Sequence, residues 1–228
     1  MIQQRFAFLE FARPLFSDRV AMAWTDPRAP MPRLMGDEVL SVEQVAPARA
    51  REFGAGRAAA RHAMEILGQC ARPVLQGEDR APVWPPGLTG SITHSARDCL
   101  AVVTDDTDIR ALGLDLEPAT ALESALWPVI CTPPEIAWLA SLGPSQRGHF
   151  AKLIFSAKEA TYKAQYVVSH TLLDFHDITL SVDLGANTFS ACFNTDIAGF
   201  NAGRQIKGRF ALLSGSLLTA VELRRGSE

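Results

Sequence analysis

The sequence lacks a surplus of basic charge, a secretion signal and a long apolar run. Its 22 lysine and arginine residues are outnumbered by 25 aspartate and glutamate residues, which argues against the broad basic face that nucleic-acid binding requires. No apolar stretch approaches the ~20 residues that a transmembrane helix needs. The first residues, MIQQRFAFLEFARPLF, do not follow the signal-peptide pattern. We therefore expect a cytoplasmic protein without a transmembrane segment or a nucleic-acid partner.

The sequence also lacks closely spaced cysteine pairs and several catalytic motifs. The four cysteines are widely separated and form no CxxC pair, which favours reduced thiols. There is no GxxxxGK[ST] phosphate loop and no GxGxxG segment after a strand. A serine hydrolase built from Ser91, His94 and Asp115 has suitable residue types, but the GxSxG elbow is absent.

The local patterns of the first half predict strands around one long helix. Residues from Gln4 to Trp24 predict two strands joined by a turn. Ser41 and Gln44 form a capping-box pattern ahead of an Ala-rich helix from about Val45 to Leu67. The Gly/Pro-rich stretch of residues 73–90 predicts loop with short extended pieces.

The second half predicts a hairpin, two helices and a meander. CLAVVT and IRALGLDLE are extended runs separated by the polar DDTD, which favours a hairpin. Helices are expected over residues 134–142 and 148–166. Four short runs, ITLSVDL, TFSACF, RFALLS and SLLTAVEL, then predict an antiparallel meander.

Two carboxylates share one face of a predicted strand. In the segment LGLDLE the leucines alternate with other residues, so Asp115 and Glu117 project together. A divalent cation such as Mg²⁺ relieves repulsion between adjacent carboxylates with hard oxygen ligands. For this pair alone, a strand with one solvated face is the favoured alternative. The predicted helix then adds Glu159 and Lys163, one turn apart, and a set of carboxylates beside an ammonium suits phosphoryl-type transfer.

Basic and hydroxyl side chains upstream form a candidate phosphate-binding set. Arg57 and Arg61 share a helix face and Arg80 lies in the Gly/Pro-rich loop; guanidinium forks bind phosphate oxygens in pairs. A solvated arginine face is the alternative. The segment GSITHS, which contains Ser91, Thr93 and His94, is expected to form a turn before a strand and to donate hydrogen bonds to phosphate.

Five segments together resemble the 4′-phosphopantetheinyl transferase superfamily in order and spacing. They are AGRAAARHAM, the stretch from Gly77 through Asp79 and Arg80 to Trp84, GSITHS, GLDLEP and FSAKEATYKA. The resemblance covers residues 49–164. Within the superfamily, the chain looks most like the branch represented by enterobactin synthetase component D. It implies an α+β fold, a pseudo-dimer of two similar halves with coenzyme A in the cleft between them. The expected division is 1–106, with nucleotide and phosphate contacts, and 107–228, with the carboxylates and catalytic helix.

The resemblance also implies roles for individual residues. Asp115, Glu117 and Glu159 would hold Mg²⁺ on the coenzyme A diphosphate, Lys163 would contact the diphosphate, and His94 would bind the 3′-phosphate. The remaining phosphate and nucleotide contacts would come from Arg57, Arg61, Arg80, Ser91 and Thr93. Mg²⁺ and Mn²⁺ are not distinguished by this ligand set.

The implied reaction moves phosphopantetheine from coenzyme A to a serine of an apo carrier protein and releases adenosine 3′,5′-bisphosphate. Glu159 is the candidate acceptor of the serine proton. Siderophore, other nonribosomal peptide, polyketide and fatty acid carriers all remain open as partners, and a monomer is expected. The alternatives are a non-catalytic coenzyme A-binding protein and a Mg²⁺-dependent phosphodiesterase.

Overall fold

The computed structural model describes residues 8–213 and 215–226. These residues belong to two compact units, Met1–Leu112 and Gly113–Glu228. Each unit contains helices and a β-sheet, so the expected mixed α+β class is confirmed. The division at residue 106, with its separate roles for the two parts, stays a prediction.

The first unit is a three-stranded sheet covered by one long helix. Its helices are α1 (residues 8–12 are described), the 3₁₀ helices Arg13–Leu15 and Gly36–Val42, and α2 (Pro47–Ile66). Its strands are β1 (Ala21–Thr25), β2 (Leu75–Gln76), β3 (Pro82–Val83), β4 (Thr89–His94) and β5 (Cys99–Thr104). The sheet has the order β1-β5-β4 and both pairings are antiparallel. Helix α2 packs on all three strands.

Small side chains bring α2 close to this sheet. Ala59, Ala60 and Ala63 are completely buried in the core. A side chain at Gly56 would place its Cβ 2.9 Å from Cγ2 of Ile92 on β4. Gly54 is less tightly enclosed, since a Cβ there would lie 3.3 Å from the Met31 side chain. Both glycines in this helix therefore fit a closely packed surface.

The start of the chain differs from the predicted pair of strands. Residues 8–12 are helical, so the first predicted strand is wrong there, and its residues 4–7 lie outside the described part. The second strand is confirmed as β1. The capping box is also wrong: Ser41 lies inside the 3₁₀ helix, and α2 begins at Pro47 after Ala46, which supplies no side-chain cap. Proline suits the first helical position because its φ is already fixed near the helical value.

Two further predictions are wrong because β4 and β5, which follow each other in the chain, pair as a local hairpin. β5 has β1 on one edge and β4 on the other, so no edge remains for a hairpin with the strand that follows it. GSITHS is not a turn, since Gly90 to His94 lie in β4 itself. The prediction of loop with short extended pieces over residues 73–90 is confirmed, the extended pieces being β2, β3 and the first two residues of β4.

The second unit places a long helix on a five-stranded sheet. It contains most of β6 (Ile109–Pro118), a 3₁₀ helix Ser124–Leu126, α3 (Trp127–Ile130), α4 (Pro133–Ser141), α5 (Pro144–Ser169), a 3₁₀ helix Phe175–Asp177, and strands β7 (Ile178–Asp183), β8 (Thr188–Phe193), β9 (Gln205–Leu213) and β10 (Ser216–Arg224). The strand order is β6-β10-β9-β8-β7. The antiparallel pairings of β7 with β8, β8 with β9 and β9 with β10 confirm the meander.

The helix α5 lies directly against β6, the strand that carries the first two candidate carboxylates. A Cβ at Gly113 would collide with the backbone carbonyl of Ala160, so the absence of a side chain lets the strand and the helix touch. Both helices predicted for this unit are confirmed as α4 and α5. Within the described residues, no helix is long and apolar enough to cross a membrane.

Candidate functional site

Asp115 lies at the centre of the candidate site and is 5% exposed. The Lys163 ammonium donates to its Oδ1 at 2.7 Å and also to the carbonyl oxygen of Leu114 at 3.0 Å. Lys163 keeps 28% of its side chain accessible. β6 and α5 therefore hold a buried carboxylate against a partly open cation, which is the kind of pair that an anionic ligand can approach.

Two buried hydroxyls hold the other side of Asp115. Ser156 donates to Oδ2 at 2.8 Å. The Oγ1 of Thr219 on β10 lies 2.9 Å from the Ser156 Oγ and donates to the Ser156 carbonyl oxygen at 2.8 Å. Neither hydroxyl residue is exposed. The carboxylate orientation is thus fixed by contacts from a helix and a second strand.

Glu117 and Glu159 complete the acidic set. Lys152 donates to Oε2 of Glu117 at 2.9 Å. Burial raises the pKa of Glu159 above its usual value; Lys163 opposes that shift, while the nearby charges of Asp115 and Glu117 add to it. The charges of Asp115 and Glu117 therefore act on Glu159, which brings the strand pair and the helical carboxylate into one electrostatic environment.

The donor set fits a hard cation, although the side chains as they stand do not form a metal centre. Carboxylate oxygens are the ligands that Mg²⁺ takes in proteins. A cation would relieve the repulsion from Asp115 and Glu117, which adds to the effect of burial on the pKa of Glu159. Across the residues described, no set of three or more His, Cys, Asp or Glu side chains is arranged to hold a metal ion. Glu117 would have to turn from Lys152 to join such a set.

The lysine beside Glu159 has a different environment. Lys158 is 2% exposed, and its Nζ donates at 2.8 Å to each of three acceptors: the Ile130 carbonyl, the Phe175 carbonyl and the Glu135 Oε2. Glu135 also accepts from the amides of Thr132 and Leu180. This network, which we call the Lys158 anchor, joins α5 to the ends of α3, α4 and β7.

The two arginines predicted for phosphate binding are buried in structural contacts. Arg61 places one guanidinium nitrogen 2.8 and 2.7 Å from the two oxygens of Glu38, which is fully buried, and donates to the Arg33 carbonyl oxygen. Arg57 donates to the carbonyl oxygens of Val74 and Leu75 and lies over the Phe53 ring. Their role as phosphate ligands stays a prediction, and a phosphate would have to compete with these partners.

The other predicted residues of the first unit are spread over β4 and the β2–β3 turn. Ser91 and Thr93 are buried on β4 at 3% and 4% exposure, whereas Arg80 is exposed with φ of 67°. His94 lies at the end of β4, with Nε2 2.8 Å from Arg49 NH1 and 3.9 Å from Glu52 Oε2. Arg49 adds a half-exposed cation beside the predicted 3′-phosphate ligand.

Several of these residues were not predicted from the sequence. Ser156 and Lys158 lie within the quoted segment FSAKEATYKA, and helical spacing places Ser156 on the face of Glu159 and Lys163. Thr219 and Glu135 had no local signal, because their partners lie 63 and 23 residues away. Arg49 lies about two helical turns before Arg57, so its charge and helical spacing could have indicated it as a phosphate ligand.

Comparison with known proteins supports the resemblance along most of the chain. The family profile of the 4′-phosphopantetheinyl transferase N-terminal domain matches residues 37–104. The profile of the 4′-phosphopantetheinyl transferase superfamily matches residues 111–211, which include every residue placed around Asp115 except Thr219. The candidate carboxylates thus lie inside the matched region.

Individual relatives give the same result. The 4′-phosphopantetheinyl transferase Svp of Streptomyces mobaraensis is 36% identical over 203 residues, which are 87% of this chain and 82% of that protein. The 4′-phosphopantetheinyl transferase PptT of Mycobacterium tuberculosis is 32% identical over 77% of this chain and 79% of its own length. Enterobactin synthase component D of Escherichia coli is 36% identical over 58% and 62%. This chain belongs to the 4′-phosphopantetheinyl transferase superfamily.

Proposed function

We propose that this protein transfers the 4′-phosphopantetheine group of coenzyme A to a serine of an apo carrier protein. The observation that supports this most directly is the contact of Lys163 with Asp115, 2.7 Å apart, beside Glu159 in the region matched by the superfamily profile. An acidic set with a partly open ammonium suits a reaction on a diphosphate. The names of the relatives identify the group transferred.

In the proposed reaction the serine oxygen forms a bond to the β-phosphorus of coenzyme A. The bond from that phosphorus to the bridging oxygen breaks, and adenosine 3′,5′-bisphosphate leaves with the electron pair. Glu159 is the proposed acceptor of the serine proton, directly or through water. The ammonium of Lys163 stabilises charge on the diphosphate oxygens.

Asp115, Glu117 and Glu159 are the proposed ligands of Mg²⁺ or Mn²⁺. Such an ion, when bound, would offset negative charge on the diphosphate. The chain's own contribution is to orient the ligands: Ser156 and Lys163 hold Asp115, and the Lys158 anchor fixes the helix that carries Glu159.

The first unit is proposed to bind the nucleotide. His94 and the neighbouring Arg49 are the proposed ligands of the 3′-phosphate, with the exposed Arg80 as a further ligand. Ser91 and Thr93, which are buried on β4, are proposed to lie near the bound phosphates. The roles of Arg57 and Arg61 as direct phosphate ligands require them to leave buried partners, which is costly. We also propose a cytoplasmic monomer made of two similar halves.

The partner is proposed to be a carrier protein of siderophore, other nonribosomal peptide or polyketide synthesis. Enterobactin synthase component D among the relatives favours the siderophore class. A panel of apo peptidyl, aryl and acyl carriers distinguishes these classes by their relative rates of modification.

Intact-protein mass spectrometry of the carrier tests the function. With coenzyme A and Mg²⁺ the carrier should gain ~340 Da, the mass of the transferred arm, and EDTA should prevent the gain. Coenzyme A binding without a gain on any carrier would support the non-catalytic alternative. Release of adenosine 3′,5′-bisphosphate without a carrier would support the phosphodiesterase.

A further inference from the structure

The hydroxyls of Ser156 and Thr219 lie next to each other, and the Ser156 hydroxyl contacts a candidate metal ligand. Thr219 on β10 contacts Ser156 on α5, and Ser156 contacts Oδ2 of Asp115 on β6, with distances of 2.9 and 2.8 Å. Neither Ser156 nor Thr219 has any exposed surface. The proposed reaction has no chemical step for either of them.

The proton positions in this chain follow from the acceptors available. An ionised carboxylate is a stronger acceptor than a hydroxyl oxygen, so the Ser156 proton points to Asp115. Thr219 has a single hydroxyl proton, and the carbonyl oxygen of Ser156 lies 2.8 Å away to receive it. Both donors are therefore in use, and Asp115 receives a directed hydrogen bond from a buried group.

Thr219 affects the Ser156 hydroxyl, because a serine inside a helix has a second hydrogen-bond acceptor available to it. Its hydroxyl can rotate to the carbonyl oxygen one turn earlier and leave its external partner. Thr161 on the same helix shows that alternative, since its Oγ1 donates to the carbonyl oxygen of Ala157 at 2.7 Å. A threonine packed against the Ser156 hydroxyl and bonded to the Ser156 carbonyl oxygen opposes this rotation.

We propose that Ser156 and Thr219 are positioning residues that hold the Asp115 carboxylate in the orientation needed for metal binding. The inference rests on the proposed function, in which Asp115 is a metal ligand. Groups that orient metal ligands typically contribute about 10- to 100-fold to metal affinity. The pair should thus act on the affinity for Mg²⁺ more than on the rate at saturating Mg²⁺.

The test compares four variants of the full-length protein. Ser156→Ala removes the donor to Asp115, and Thr219→Val removes the second hydroxyl while keeping a β-branched shape. Thr219→Ser keeps the hydroxyl and loses a methyl group. Thr161→Val is the matched control, because it removes a buried hydroxyl from the same helix that has no contact with a carboxylate.

Calorimetric titration of Mg²⁺ into the coenzyme A-bound enzyme, without carrier, gives the affinity independently of turnover. Ser156→Ala should raise the Mg²⁺ dissociation constant about 10- to 100-fold. Thr219→Val should raise it less, by about fivefold, because Thr219 acts on Asp115 only by keeping the Ser156 hydroxyl in place. Thr219→Ser should bind more tightly than Thr219→Val. Thr161→Val should lower the Tm and leave the dissociation constant unchanged.

Transfer assays over a range of Mg²⁺ concentrations provide the second measurement. The Mg²⁺ concentration for half-maximal rate should rise in Ser156→Ala and Thr219→Val, with smaller changes in the maximal rate. If the unmodified enzyme transfers the group to its carrier and both variants bind Mg²⁺ as tightly as it does, the positioning role is overturned and the proposed function is kept. A wild-type enzyme that modifies no carrier would overturn the proposed function, while weakened Mg²⁺ binding in the variants would still uphold the positioning role. If Ser156→Ala does not fold, the comparison of Thr219→Val with Thr219→Ser decides the outcome.

Discussion

Replacement of Lys158 by methionine tests the Lys158 anchor. The ammonium donates to three acceptors at 2.8 Å and its side chain is 2% exposed. Burial lowers the pKa of Lys158, and Glu135 opposes that shift. Lys158→Met leaves Glu135 as a buried carboxylate without its cation and removes the donor from two carbonyl oxygens.

The expected loss is large. Breaking a buried ion pair by removing one partner costs about 3–5 kcal/mol in unfolding free energy, and buried acceptors left without a donor cost about 1–3 kcal/mol each. We therefore expect Lys158→Met to lower the unfolding free energy of the second unit by about 3–5 kcal/mol. A double variant with Glu135→Gln should lose less than the sum of the two single changes.

Urea unfolding measures this loss, and Lys152→Met serves as the matched control. Lys152 lies on the same helix and is also paired with a glutamate, but the pair is more accessible, at 13% and 24% exposure, so its loss should be below ~1 kcal/mol. Hydrogen exchange of the Leu180 amide, which donates to Glu135, provides a local readout. Equal losses in the two lysine variants would refute the argument.

Three other predictions concern the site directly. Asp115→Ala should abolish carrier modification while the circular dichroism spectrum stays that of a folded protein; undiminished turnover would contradict the proposed metal site. Gly113→Ala should lower the Tm in a thermal melt, because the new methyl group collides with the Ala160 carbonyl. Burial raises the folded-state pKa of Glu159, so the native state binds more protons than the unfolded state above the usual glutamate pKa, and stability is lost as the pH rises through the folded value. Glu159→Gln should therefore raise the urea midpoint at neutral pH but not below the usual glutamate pKa.

The parts of the fold that were predicted correctly depend on local pattern. The helices around Leu139 and Glu159 and the alternating strands of the meander are confirmed. They could be predicted because the spacing of apolar residues within each short segment indicates which face is buried. The failed predictions concern pairing and context. The predicted hairpin of β5 with the strand that follows it was wrong because β5 pairs with the preceding strand, β4, on one edge and with the distant β1 on the other.

The candidate site divides in the same way. Strand alternation and helical spacing indicated Asp115, Glu117, Glu159 and Lys163, and the structure brings them into mutual electrostatic range. The partners that hold these groups come from distant positions, as Thr219 does. The sequence likewise could not show that Arg61 is paired with the fully buried Glu38, since that pairing depends on the 3₁₀ helix that brings Glu38 to α2.

The strand order of the second unit has a consequence for synthesis of the protein. β6 has β10 as its neighbour in the sheet, so the strand that carries Asp115 must wait for residues 216–224 before it can pair. During translation the first unit is able to fold while the acidic strand still has an open edge. Because distant pairings form slowly, we expect the carboxylates to reach their final positions among the last steps of folding, after the last strand has left the ribosome.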